Sequence, residues 1–327
     1  MAASRPRPPS VPITKCRWSI RWLGKASLPV SEIGKPQHAR AVLDAISVKQ
    51  DGRAASATTI ARKRSVFANV IRYAVELEVL RSNPLDGMSW KPPKVSEAVD
   101  RRVVVNPRQA PELLTAVTYV GQQRRGPHAR GQRLMALYAC MYFAAQRPGE
   151  AVALRRQDCY LPATGWGRLT LEKSRPEVNR RWTDTASAHD ERGLKHRPAN
   201  ETRRVPIPPE LVTILRQHID TFDIAADGRI FSSDRGHPVA STAISDVWAA
   251  ARDLALTPAQ VASRLAGRPY DLRHAAVSLW LSAGVPPPRV AERAGHSVEM
   301  LLRVYAKCLD DGDDVANTRI DAALRGA

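Results

Sequence analysis

Lysine is scarce in this chain of 327 residues, with 10 Lys against 40 Arg. Acidic residues are outnumbered as well, 32 Asp and Glu facing 50 Lys and Arg. Long apolar runs are missing: nothing approaches the roughly 18 consecutive residues that a membrane-spanning helix needs. The opening Arg5-Pro6-Arg7-Pro8-Pro9 has no apolar stretch of the kind a secretory signal requires. A soluble, cytoplasmic protein is therefore expected. Cysteine is limited to Cys16, Cys140, Cys159 and Cys308, with no C-x-x-C pair, so neither a zinc site nor a disulfide framework is indicated. Aromatic residues make up 6% of the chain and form no rich cluster on which single-stranded bases could stack, which argues against a single-strand or RNA-binding platform.

What is present is positive charge. A formal net charge of +18 and a pI near 10.4 exceed what solubility needs and call for a polyanionic partner, most simply nucleic acid. The preference for Arg suits this, because a planar guanidinium grips phosphate through two hydrogen bonds where an ammonium acts as a point charge. Arg-rich codon usage in a GC-rich genome would produce the same bias. With 43% hydrophobic and 25% charged residues, a packed core is expected, in about two domains.

Along the chain, residues 1–34 read as a flexible or incomplete start with one short apolar cluster (Trp18, Ile20, Trp22, Leu23) and no assigned fold. Residues 35–90 read as a helical DNA-binding domain. Ala39–Ile46 is one amphipathic segment and Ala55–Leu80 another, in which Ile60, Val66, Phe67, Val70, Ile71, Ala74 and Val75 recur at helical spacing. Arg62, Lys63, Arg64 and Arg72 give this second helix a basic face, either solvated or turned to DNA. The Pro- and charge-rich stretch 91–106 is expected to be a linker. The remainder, 107–327, should be a mixed α+β domain. Helices are expected at 111–122, 129–145, 208–222, 242–256, 258–265, 272–283, 287–294 and 298–308, with a tail helix at 314–324. Strands are expected at 167–172, 203–207 and 229–231, and a long charged insert joins the first two. The fold class is thus mainly α with a small antiparallel β-sheet.

Three features carry chemistry. Breaking a phosphodiester with an enzyme nucleophile requires cations that neutralise the phosphate, donors that meet charge developing on its oxygens, and a proton for the departing sugar oxygen. Arg147 ends a strongly apolar helix at a Pro-Gly break, an improbable place for an unpartnered charge, with Glu150 three residues on to orient it. Arg273 stands at the start of another apolar helix. Tyr305, in an apolar helix with Val298, Leu301 and Leu302, is the candidate nucleophile, its phenol activated by nearby guanidiniums holding a phosphate. His296, after Gly295, is placed to hydrogen-bond a phosphate oxygen. For the proton, Lys195 and Lys173 are the candidates, Lys195 preferred because it precedes the basic strand Arg203-Arg204-Val205-Pro206. Arg203, Arg204 and His274 join the basic helix face as candidate DNA contacts. Each of these residues taken alone also has an ordinary reading, as a core, paired or solvated side chain.

Together, Ala145-Gln146-Arg147-Pro148-Gly149-Glu150, Tyr270-Asp271-Leu272-Arg273-His274, Ala294-Gly295-His296-Ser297 and Val304-Tyr305 resemble the tyrosine recombinase family, in particular phage-type integrases, over roughly residues 107–310. The resemblance implies that Arg147 and Arg273 bind the scissile phosphate and that Tyr305 attacks it to give a 3′-phosphotyrosine and a free 5′-hydroxyl. Lys195 would protonate the leaving oxygen, and His296 would support the phosphate. It implies no cofactor and no metal, double-stranded DNA as partner, a homo-tetramer on two duplexes, and an accessory DNA-bending or directionality protein as a further partner; localisation would be at the nucleoid. The tail helix would dock on a neighbouring subunit. Two departures stand out. The family pattern places a basic residue, usually His, where this chain has Tyr270, a phenol that donates a hydrogen bond but carries no positive charge at neutral pH. His274 is offset by about 100° around the helix from Arg273, and so is not expected to substitute; Tyr270→His is expected to retain or raise cleavage. The N-terminal region is also short for an integrase of this type, as if truncated. Two readings follow: an active site-specific recombinase of a phage or other mobile element, or an impaired remnant that binds DNA without cutting it.

Overall fold

The computed structural model describes residues 17–95, 98–121, 129–180, 183, 187–195, 197–198, 201–305 and 313–325. The chain divides into two compact units, residues 1–96 and 97–327.

In the first unit, α1 (Arg17–Ala26), a 3-10 turn at Val30–Gly34, α2 (Pro36–Ile46) and α3 (Ala57–Glu76) follow one another. The segment left unassigned in the sequence therefore contains a helix, whose Trp22 and Leu23 are exposed. Pro36 opens α2 at its first position, where no N–H is needed, and Ser56 caps α3 by accepting from the Thr59 N–H. A small core of Ala39, Leu43, Ile71, Ala74, Leu80 and Leu85 joins α2 to α3 and the segment after it. Val66 and Val70, expected in that core, are exposed and line up with Tyr73 and Leu77 as a second apolar stripe. They sit about 100° around the helix from the Ile60–Phe67–Ile71 face, so three- and four-residue spacing alone does not separate the two stripes.

In the second unit, residues 98–106 are packed structure and not linker. Val99 and Val105 are buried, the Val99 N–H donates to the Val304 carbonyl at 2.8 Å, and Asp100 caps a 3-10 turn at Arg101–Val103. Then come α4 (Gln109–Tyr119), α5 (Arg130–Phe143) and α6 (Pro148–Ala153). Strands β1 (Cys159–Tyr160), β2 (Gly167–Leu171), β3 (Lys173–Ser174), β4 (Arg192–Gly193) and β5 (Arg203–Ile207) follow, and then α7 (Pro209–Thr221), α8 (Ser241–Ala255), α9 (Pro258–Ala262), α10 (Asp271–Ser282), α11 (Pro287–Ala294), α12 (Val298–Tyr305) and α13 (Asp313–Leu324). The class is mainly α with small antiparallel sheets. β1-β2-β5 form one antiparallel sheet and β3-β4 a short hairpin within the charged insert. The strand expected at 229–231 is only a single bridge between Arg155 and Arg229, because Ile230 and Phe231 turn into the core without a partner strand. His196 and several other insert residues, and those of the predicted 298–308 helix beyond Tyr305, lie outside the described residues.

α5 is buried on nearly every side, which explains why its sequence lacks a polar face. Around it α4, α7, α8 and the inner face of the sheet build the main core. A smaller core gathers Val99, Ala276, Val277, Leu281, Val290, Ala294, Leu301 and Tyr305 under α10, α11 and α12. The candidate site lies where the end of α5, the start of α10 and the α11–α12 turn meet.

Candidate active site

After α5, Ala145 adopts φ +48°, the left-handed region that residues with a Cβ seldom occupy. The chain there turns into Arg147, the residue that caps α6. Glu150, one turn inside α6, accepts from the Arg147 backbone N–H at 2.9 Å and from its Nη1 at 2.8 Å. From β5, Arg203 donates through Nη1 at 3.0 Å and Nη2 at 2.6 Å to the same carboxylate. Arg203, a candidate DNA contact in the sequence, is instead fully buried and structural, while Arg204 points outward. Burial opposes ionisation of Glu150, yet the Arg203, Arg147 and Arg273 guanidiniums prevail and hold its pKa down to about 2. The carboxylate stays charged and fixes both arginines.

Arg147 reaches on through Nη2 to the Gly295 carbonyl at 2.8 Å. Gly295 ends α11 at φ +66°, and a Cβ there would run into Arg203 Nη1, so the position strongly favours glycine. Arg273 is completely buried. Its Nη1 donates to the Ala145 carbonyl, and its Nη2 to the Ala294 carbonyl at 2.5 Å and to His296 Nε2 at 2.8 Å. A guanidinium can only donate, so His296 Nε2 is the acceptor and the neutral ring carries its proton on Nδ1. Burial, and then the Arg273, Arg147 and Arg203 charges, push the His296 pKa down to about 3. His296 is therefore an uncharged N–H donor, and its Nδ1 has no partner among the described residues.

Tyr305 closes α12 and is 1% exposed. Leu301 shares its inward face, whereas Val298 and Leu302, expected beside them, turn outward. The Tyr305 ring stacks on His296 with centroids 6.1 Å apart. Its hydroxyl shares a hydrogen bond of 2.8 Å with His274 Nδ1. His274 was expected to contact DNA; it faces the tyrosine, and Tyr270 packs edge-on against it one turn earlier. Burial, chiefly, lowers the His274 pKa to about 4.

No family model matches the chain, and no curated protein matches it. Solved structures do. The Tn1549 transposon integrase, in complex with a circular intermediate DNA, aligns with a TM-score of 0.65 and 17% identity over 95% of this chain and 94% of that one. The XerH site-specific recombinase bound to its palindromic difH substrate gives 0.58 and 13% over 85% of this chain and 71% of that one. A lambda integrase dimer bound to a COC′ core site gives 0.52 and 15% over 92% and 89%. The fold is that of the tyrosine recombinases.

On this tyrosine recombinase fold, an open cavity of about 640 Å³ is lined by Arg147, Lys195, Arg197, Tyr270, His296 and Met300, among others. Lys195 and Lys173 part company here. Lys195 is exposed on the cavity wall, whereas the Lys173 ammonium on β3 is tied to Glu191. Arg273 does not line the cavity and reaches it through His296. Arg62, Lys63, Arg64 and Arg72 belong to the first unit; Arg62, Lys63 and Arg72 are exposed, and Arg64 lies over the Trp90 ring. The inward position of Arg203 had a signal in the sequence, since β5 alternates and Val205 and Ile207 are its core residues. The carbonyls of Ala145, Ala294 and Gly295 had none, because backbone acceptors carry no sequence mark.

Proposed function

We propose that the protein is a site-specific DNA recombinase that cuts and rejoins strands through a 3′-phosphotyrosine intermediate, in the integration or excision of a mobile element. The observation that carries this reading is the placement of a buried tyrosine against His296 and His274, beside a cavity walled by Arg147, Tyr270, His296 and Lys195. A phosphate in that cavity would meet the Arg147 guanidinium, the His296 ring and the Tyr270 hydroxyl. Arg147 and His296 are already oriented by Glu150, Gly295 and Arg273, and preorganised donors at developing charge contribute heavily to such catalysis, about 3–4 kcal/mol for one lost. Arg273 adds positive potential from beneath and fixes the His296 tautomer.

Lys195 protonates the leaving 5′-oxygen from the cavity wall. The partner is double-stranded DNA, a reading supported by the Tn1549 integrase complex with a circular intermediate DNA, XerH bound to its difH substrate and lambda integrase bound to a COC′ core site. The exposed basic face of α3 grips the duplex backbone, and a homo-tetramer brings two duplexes together. An accessory DNA-bending or directionality protein fits this assembly.

Tyr270, standing where the family resemblance calls for a cation, favours a second reading, a remnant that binds DNA without cutting. Covalent trapping separates the two. Wild type and Tyr305→Phe are incubated with nicked duplexes tiled across the DNA flanking the gene, and the products are resolved on a denaturing gel. The nick lets the 5′-hydroxyl fragment escape, so cleavage does not reverse. The expected result is a shifted band with wild type and none with Tyr305→Phe. Retained binding on a native gel without any adduct identifies the remnant.

A further inference from the structure

We propose that His274 is the base that receives the Tyr305 proton. The inference rests on the recombinase reading and deepens it. Tyr270 is a phenol and cannot serve as a base at neutral pH, with an ordinary pKa of about 10. His274, four residues on and therefore on the same helix face, is in ring contact with Tyr270 and brings Nδ1 to 2.8 Å from the Tyr305 hydroxyl. His296, the other imidazole against Tyr305, has its Nε2 committed to Arg273. At 1% exposure the phenol has little bulk water to lose its proton to.

The step balances. Tyr305 Oη attacks phosphorus, so the Oη–P bond forms and the P–O5′ bond breaks. The phenolic proton passes to His274 Nδ1, and O5′ takes a proton from Lys195. Rejoining runs the same transfers backwards. The groups facing His274 are Asp271, Arg268 and Arg273 along its own segment, with Tyr305 and His296 from across the site. Burial and the arginines keep the imidazole unprotonated, hence an acceptor, before DNA arrives. An anionic phosphate docked nearby raises its proton affinity, and bond formation to phosphorus acidifies the phenol at the same moment. A base this weak receives the proton only as the Oη–P bond forms.

Two measurements test the assignment. In the protein alone, long-range proton–nitrogen NMR reads the His274 ring. The expected pattern is a bare Nδ1 whose nitrogen shift changes in Tyr305→Phe; a protonated Nδ1 overturns the proposal whether or not any duplex is cleaved. With the duplex that traps wild type, His274→Ala and His274→Asn are expected to lower adduct formation at pH 7 by about 10²–10⁴-fold. Both variants should gain rate about tenfold per pH unit, as a reaction that needs preformed phenolate must, while the wild-type profile stays flat. A 5′-bridging phosphorothiolate, whose sulfur leaves without a proton, should rescue Lys195→Ala and not His274→Ala. A near-wild-type, pH-flat His274→Asn reduces His274 to positioning, and faster cleavage by His274→Ala marks it as a latch. Either result overturns the proposal. If wild type forms no adduct on any duplex, the recombinase reading fails separately, and the NMR result still decides the hydrogen bond.

Discussion

At the scale of single residues the site depends on close packing of charge around Glu150 and Gly295. Placing a methyl group at Gly295 forces it against Arg203 Nη1 and into a left-handed backbone. Gly295→Ala is therefore expected to destabilise by about 1–3 kcal/mol and to abolish adduct formation, read by urea unfolding and by trapping. The two neighbouring arginines of β5 should behave in opposite ways. Arg203→Met leaves a buried carboxylate short of its bidentate partner and should cost about 3–5 kcal/mol of stability. Arg204→Met, on the exposed face, should leave stability within about 0.5 kcal/mol and, if the arginine meets a phosphate, reduce the salt dependence of DNA binding by about one counterion. Equal stability losses in the two variants would contradict the burial pattern. This pair also shows what the sequence made legible: alternation along β5 foretold that Arg203 and Arg204 face opposite ways, but the run of basic residues masked it. The contact between His274 and Tyr305 had no such sign, since it joins side chains 31 residues apart whose meeting is set by the small core under α10–α12.

At the scale of elements, the insert between β2 and β5 carries the lysine question. β3 and β4 pair so that Lys173 lies opposite Gly193, and Lys195 follows two residues after that hairpin ends. Lys173 is neutralised in part by Glu191, while Lys195 faces the cavity with Arg147 and His296. Lys195→Ala is thus expected to lower adduct formation by about 10²–10⁴-fold and Lys173→Ala by less than tenfold, measured by single-turnover trapping; the reverse order would hand the proton transfer to Lys173. Most helices and the β2–β5 pair were readable because their apolar residues repeat over three or more turns or alternate over five residues. β1 was not, since two residues carry no period. Residues 98–106 were misread because they follow Pro92 and Pro93 and carry the charged Asp100, Arg101 and Arg102, whereas Val99 and Val105 anchor the stretch and Asp100 ties it to Arg102 and Arg264.

At the scale of the whole molecule, charge is unevenly shared. Residues 1–96 hold 17 Lys and Arg against 6 Asp and Glu, and residues 97–327 hold 33 against 26. The first unit thus has the greater density of positive charge, while the candidate site lies in the second, where the sequence motifs already placed it. The geometry of that site also makes stability depend on pH in a direction the groups dictate. His274 and His296 have folded pKa values near 4 and 3, below the roughly 6.5 of an unfolded histidine. Between those limits the unfolded chain binds protons that the folded chain refuses, so stability is complete above about pH 6.5 and falls as the solution is acidified. Glu150, with a folded value of about 2 against 4.5, extends the loss below pH 4.5. Buried His189 and His218, also shifted down, act in the same sense. The urea midpoint, followed from pH 7.5 to 4 at constant ionic strength so that the large net charge is equally screened, should therefore decline below about 6.5. The double variant His274→Asn with His296→Asn removes two of the four histidines from the balance and should decline less steeply. A midpoint that stays level down to pH 4.5 in wild type would mean that these imidazoles are solvated in the folded protein, and the neutral-donor role given to His296 would go with them.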